Sequence, residues 1–355
     1  MLSFLYTALA FIAVLVIVVL AHEGGHFFTA RLLGIKVDEF GIGYPPRIWA
    51  FKRKGIEYSV NWLPLGGFVK LTGENDPNVP GGLSQASATK RLVVLSAGAI
   101  MNALLPFLLF SIALMAPHTV ETSDVYVDQV APGSPAAAAG FQVNDQILKI
   151  DSSNVTNYSD LSRLIQLNLG NNTSFTLKQP DSSVVTLEAV PRWKPPAGQG
   201  SLGIVSRLEN VVDFQQSLPP WKAIPQGFSD VADTFGLFKN GIIQLIIGAQ
   251  PFQVSGPVGI AQVSGEAARA GIGPFLEFTA FLSINLAILN ILPIPALDGG
   301  RIAFVLVEIV RRGKRLDPKK EGLVHTVGFI LLLTLIVAIT FQDVARAISG
   351  SSVVP

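Results

Sequence analysis

From Phe4 to Leu20 the chain runs FLYTALAFIAVLVIVVL without a charged residue. An apolar helix of that length crosses a hydrocarbon layer of about 30 Å. The run continues directly into AHEGGHFFTA, which places His22, Glu23 and His26 toward the end of an apolar helix. Ionisable groups in such a setting are costly, and they mark functional sites. The run lacks the basic start and small-residue cleavage site of a signal peptide, so it reads as a retained span.

Three further stretches carry the same signal: Leu92 to Ala116, a run from about Phe275 to Val310 broken by NILPIPALDGG, and Leu323 to Phe341. Of the 355 residues 49% are apolar and only 14% charged, a balance that fits several spans. A net charge of +1 gives no electrostatic case for nucleic acid. Cysteine is absent, so disulfides and thiolate metal sites are excluded, and any metal must be held by His, Asp or Glu. Lys and Arg concentrate in residues 32–91 and 311–322, and by the positive-inside rule both loops face the cytoplasm. Residues 117–274 and both termini then lie outside.

Between residues 120 and 191, strands are expected at Val125–Val130, Gln146–Ile150, Ser174–Lys178 and Val184–Val190, with a helix from Tyr158 to Asn168. The stretch SPAAAAGFQVNDQILKIDSSNV within it resembles a PDZ domain, with Asn144 standing where Gly is usual in the turn. Asn tolerates the left-handed conformation that this turn requires. PRWKPPAGQG reads as a linker, and LPPWKAIPQGFSDVADTFGLFKNGIIQLIIG as an amphipathic helix in a connector covering residues 192–274. The chain thus divides into a first span (1–31), a cytoplasmic loop (32–91), a second span (92–116), the PDZ-like domain (120–191), the connector, a third span (275–310), a basic loop (311–322) and a fourth span (323–342). The fold class is a polytopic α-helical membrane protein of about four spans, with a membrane-associated β-hairpin and an extracytoplasmic α+β PDZ-like domain.

His22 and His26, four residues apart, share one helix face and can bind one zinc ion, and Glu23 beside them can accept a proton from water. Catalytic zinc usually takes three protein ligands. His118 and His325 sit at span ends with no partner at metal spacing and read as interfacial polar residues. The better third ligand is Asp298. Pro293 and Pro295 break the helix just before it, and broken backbone at membrane depth is tolerated where it lines a polar cavity. Asp298 as a plain helix cap would leave Asn285, Asn290 and the two prolines unexplained.

HEGGH on the first span, AGAIMN on the second, the PDZ-like segment and NILPIPALDGG on the third together resemble the site-2 protease family, in its bacterial RseP/RasP form, over nearly the whole chain. That resemblance implies an intramembrane zinc endopeptidase cutting the transmembrane segments of membrane proteins, for example anti-sigma factors or remnant signal peptides. It implies His22, His26 and Asp298 as zinc ligands and Glu23 as general base. Asn290 matches an asparagine that holds unwound substrate. Gly98 and Asn102 match the second-span motif, whose usual Gly-Pro is here Gly98-Ala99. These two and Asn285 join Asn290 as candidate substrate-binding residues.

The segment IEYSVNWLPLGGFVKLTG reads as two strands around a Pro-Leu-Gly-Gly turn, unusually apolar at Trp62, Leu63, Leu65, Phe68 and Val69. The resemblance suggests a hairpin dipping into the membrane beside the zinc, where a free edge could pair with an extended substrate. It also implies a multi-pass protein of a bacterial inner membrane. The PDZ-like domain would contact the outer segment of the substrate, either to recruit it or to exclude untrimmed ones. Two alternatives stand beside this reading: another membrane zinc protease, such as a prenyl-protein protease, and a non-enzymatic zinc-binding scaffold. The first would not require the PDZ-like segment, and the second would not require Glu23.

Overall fold

The computed structural model describes residues 2–74, 76, 78–250, 256–315 and 317–348. The terminal residues expected outside (349–355), residues 251–255 of the connector, residue 316 of the basic loop and the side chain of Leu65 fall outside the described parts. The chain forms two compact units: Met1–Ala116 with Pro220–Gly227 and Val254–Pro355, and Pro117–Pro219 with Phe228–Gln253.

The first unit is helical. Its elements are α1 (Leu2–Leu32), the hairpin strands β1 (Val37–Arg53) and β2 (Ile56–Leu71), α2 (Ala88–Met115), the start of α5 (Pro220–Ile246), α6 (Pro257–Ala270), α7 (Ile272–Ile291), α8 (Asp298–Val310) and α9 (Pro318–Ile348). Among the described residues, four helices are long and apolar enough to cross a membrane: Ser3–Leu32, Ala88–Met115, Ile272–Ile291 and Lys319–Arg346. The chain is therefore a multi-pass membrane protein. The third apolar stretch is two helices. α7 stops at Ile291, and the chain becomes helical again only at Asp298, because Pro293 and Pro295 have no N–H for a continuing ladder.

Polar contacts lock this unit where lipid offers none. Arg91 donates to Glu308 at 2.6 Å, both side chains nearly buried, and Arg315 reaches the other oxygen of Glu308 at 3.1 Å. The start of α2 is thus tied to the end of α8. α6, in the stretch read as connector, packs on the first turns of α1: the Tyr6 hydroxyl donates to the Ala268 carbonyl at 2.9 Å, and Arg269 to the Thr7 hydroxyl at 3.1 Å.

The hairpin differs from its sequence reading. Its tight turn is Lys54-Gly55, both at positive φ, and each strand bends midway. Residues 56–63 and 67–71 do not pair with each other across the Pro-Leu-Gly-Gly bend, because residues 37–44 lie between them and pair with both. Among the described residues, Gly67–Leu71 pairs on one side only and is an edge. Tyr44, Ile48, Trp49, Phe51, Trp62 and Leu63 are exposed on this hairpin.

The second unit carries an α+β sheet of PDZ-like form. Strands β3 (His118–Val130), β4 (Gln146–Ile150), β6 (Thr173–Lys178), β7 (Val184–Ala189) and β8 (Ile204–Gln216) form an antiparallel sheet in the order β7-β6-β4-β3-β8. The short β5 (Ser153–Asn154) pairs with β4, and helices α3 (Pro135–Ala139) and α4 (Tyr158–Leu167) complete the unit. Val125, Val127, Ile147, Ile150, Phe175 and Leu177 are at most 1% exposed, and burial of each stabilises the fold by roughly 1.5–3 kcal/mol. Asn144 has φ +73, the left-handed geometry expected of it. The sheet extends beyond residue 191, since β8 pairs with β3 from Val130↔Ile204 to His118↔Gln216. That leaves the outer edge of β8 beside α4, and a groove of about 370 Å³ runs between them, lined by Leu161, Ile165, Gly200, Leu202 and Ile204 among others.

Candidate metal centre

Alpha-helical spacing brings His22 and His26 onto one side of α1, with ring centroids 4.8 Å apart. Asp298 arrives from the first turn of α8. It is not the N-cap of that helix; Leu297 is, and no side chain caps it. The Asp298 carboxylate faces the imidazoles instead. Oδ2 lies 3.0 Å from His22 Nε2 and 3.2 Å from His26 Nε2, and the two Nε2 atoms are 3.2 Å apart. Both histidines are at least nine-tenths buried.

These spacings fit a metal. Nitrogen and oxygen donors at about 2.0–2.2 Å in a tetrahedral array stand roughly 3.3 Å from one another. The outer faces of the rings fit too. His26 Nδ1 lies 2.8 Å from the Val94 carbonyl oxygen, which can only accept, so Nδ1 carries the hydrogen and Nε2 keeps its lone pair for the cluster. The side-chain amides of Asn102 and Asn290 face His22 Nδ1 at 3.4 and 3.5 Å. With Nε2 as a ligand, that Nδ1 is a donor. Turning the Asn102 amide about its terminal bond brings Oδ1, buried and otherwise without a partner among the described residues, onto this hydrogen.

Asn102 is itself held in place. Its carbonyl would accept from residue 106 in an unbroken helix, but Pro106 has no N–H. The Ser283 hydroxyl of α7 donates to that carbonyl instead, at 2.8 Å. Gly98, one turn earlier on α2, packs so tightly on both imidazoles that a Cβ would overlap them. Glu23 lies beside the edge strand Gly67–Leu71: a Cβ on Gly67 would stand 3.5 Å from Glu23 Cγ, and the Val69 backbone N–H interacts with the carboxylate.

The structure thus gathers His22, His26, Asp298, Asn102, Asn290 and Gly98 in one place, with Glu23 adjoining. Asn285 is not among them. It sits about 200° around α7 from Ser283, and its amide donates to the Phe281 carbonyl of its own helix at 2.9 Å. His118 begins β3, opposite Gln216. His325 proves more than an interfacial residue, because its Nδ1 accepts the Ala296 N–H at 3.0 Å. Sequence reasoning also missed Ser283, for which the proline four residues beyond Asn102 was the only signal.

The profile of peptidase family M50 matches residues 10–335. The chain belongs to that family. Relatives match along almost the full length. A Clostridium perfringens protein carrying a zinc metalloprotease name is 35% identical over 343 residues, covering 96% of this chain and 98% of its own. A similarly named Clostridium acetobutylicum protein is 33% identical, covering 94% and 96%. The zinc metalloprotease RasP of Oceanobacillus iheyensis is 28% identical, covering 96% and 99%. As an M50 member related to the bacterial RseP/RasP site-2 proteases, this chain is a zinc-dependent intramembrane endopeptidase, and the His22-His26-Asp298 cluster has the donor set to hold zinc.

Proposed function

We propose that His22, His26 and Asp298 are the three protein ligands and Glu23 is the proton carrier of a protease that cuts unwound transmembrane segments. The observation that carries this reading is the 3.0–3.2 Å triangle of two Nε2 atoms and one carboxylate oxygen, with a carboxylate on the adjoining residue. Zinc held there supplies Lewis acidity, which acidifies water and polarises a peptide carbonyl. The Glu23 carboxylate takes the proton from the attacking water and delivers it to the nitrogen of the leaving amine. Asn102 and the Val94 carbonyl hold the imidazoles so that Nε2 faces the reaction.

A substrate helix hides its carbonyls and must unwind, and the hydrogen bonds it loses need replacement where water is scarce. The edge strand Gly67–Leu71 offers main-chain partners beside Glu23, and Asn290 offers an amide. The exposed aromatic residues of the hairpin favour its entry into the membrane. We assign Gly98 and Asn102 to shaping the ligands, and Asn285, engaged with its own helix, a lesser part in holding substrate.

The basic loops 32–91 and 311–322 support a cytoplasmic placement, with the termini and PDZ-like domain outside a bacterial inner membrane and cleavage nearer the cytoplasmic face. Substrates of this class include anti-sigma factors and remnant signal peptides, and the groove between β8 and α4 suits an extended outer segment of such a substrate.

Glu23→Gln tests the assignment. Cleavage of a single-span substrate should fall by about 10²–10⁴-fold, with zinc content unchanged. Turnover at the wild-type rate would remove Glu23 from the chemistry.

A further inference from the structure

We propose that His325 of α9 is a positioning residue for Asp298, acting through the backbone of Ala296. This rests on the reading above that Asp298 is a zinc ligand.

The chain reaches Asp298 through a tight turn. Leu297 N–H donates to the Ile294 carbonyl at 3.2 Å, with Pro295 and Ala296 between them and Ala296 at φ +79. This is the form of a type II turn, with proline at its favoured second position. The third position requires positive φ and is usually glycine. An alanine is held there against its own preference, and such conformations persist only where the surroundings enforce them. The turn itself leaves the Ala296 N–H unused, and that N–H donates to His325 Nδ1 at 3.0 Å. Two residues on stands the Asp298 carboxylate. A change in the backbone angles at Ala296 would swing that carboxylate away from His22 and His26.

α9 is shaped to bring His325 to this point. Gly328, one turn further, lies against Pro295, where a Cβ would come within 3.0 Å of the proline carbonyl carbon. The Phe304 ring of α8 lies 5.5 Å from the His325 ring. Because Nδ1 accepts, the ring hydrogen sits on Nε2, which is buried and has no hydrogen-bond partner among the described residues. The imidazole is therefore committed to the Ala296 contact. The fourth span becomes a strut for a metal ligand carried on the third.

The test uses the full chain in detergent, with Zn²⁺ as the probe in competition with a chelator. His325→Leu removes the acceptor, whereas Asn at 325 offers its oxygen close to the position of Nδ1. His325→Leu should weaken zinc binding by about ten-fold, the low end for a supporting partner, and lower turnover with it, while His325→Asn stays within about three-fold of wild type. His325→Gln, whose oxygen matches Nε2 rather than Nδ1, should behave as His325→Leu and replaces it if that variant does not fold. Wild-type zinc affinity in both acceptor-lacking variants would overturn the proposal, as would equal weakening in the Asn variant, which would reveal a packing role. Asp298→Ala, run in parallel, separates the two readings: unchanged zinc affinity there would overturn the ligand assignment, whatever the His325 series shows.

Discussion

Gly98 stands against His22 so closely that a Cβ at that position would lie 2.6 Å from the ring Cε1 and 2.7 Å from Nε2. The contact joins the second span to the metal-binding face of the first and leaves no room for a side chain. Gly98→Val should therefore displace the His22 imidazole and weaken zinc binding at least ten-fold, about what loss of ligand support costs elsewhere. Metal analysis of the purified protein checks this, and full zinc occupancy would show that α1 and α2 can separate freely.

Asp298→Ala removes one of the three proposed protein ligands and should lower both zinc content and turnover. Here the contrast with Glu23→Gln is informative. The first variant should lose metal and activity together, and the second activity alone. Retained zinc in Asp298→Ala would return Asp298 to a structural role at the start of α8.

Because His118 and Gln216 are paired at the open ends of β3 and β8, the sheet domain can be excised and its ends rejoined by a short Gly/Ser bridge. Deleting residues 119–215 should leave zinc binding intact and permit cleavage of substrates whose outer domains have not been trimmed. If the variant keeps the wild-type preference for trimmed substrate, the domain does not gate. Equal loss on both substrates, with zinc retained, would point to recruitment.

Membrane orientation can be read by single-cysteine labelling in intact cells, since the chain has no cysteine of its own. An impermeant thiol reagent should label a cysteine replacing Lys178 and spare one replacing Lys52. The reverse pattern would invert the assigned topology.

The parts of this protein legible in its sequence are those with local causes. His22 and His26 announce themselves by helical spacing, Asp298 by the prolines before it, and β4 and α4 by their own periodicity. What escaped depends on distant partners. The β8 stretch IVSRLENVVDFQQ mixes apolar and charged residues, and it becomes part of the sheet only by pairing with β3, on the far side of the domain in sequence. α6 is poor in large apolar residues and is held through small buried positions such as Ser264. At the site, Asn102 read as a substrate contact, yet its amide faces His22, an arrangement set by Pro106 and by Ser283 on another helix. His325 gave no local sign that its partner would be the backbone beside Asp298.

The most direct measurement is cleavage by the wild-type chain, stripped of metal by a chelator and then titrated with zinc, of a single-span membrane substrate whose products are identified by mass. Zinc-dependent intramembrane proteolysis predicts no cleavage after stripping, recovery at about one equivalent of zinc, and a cut bond inside the apolar segment. An unchanged rate in the stripped protein, or a cut confined to a water-exposed tail, would contradict it.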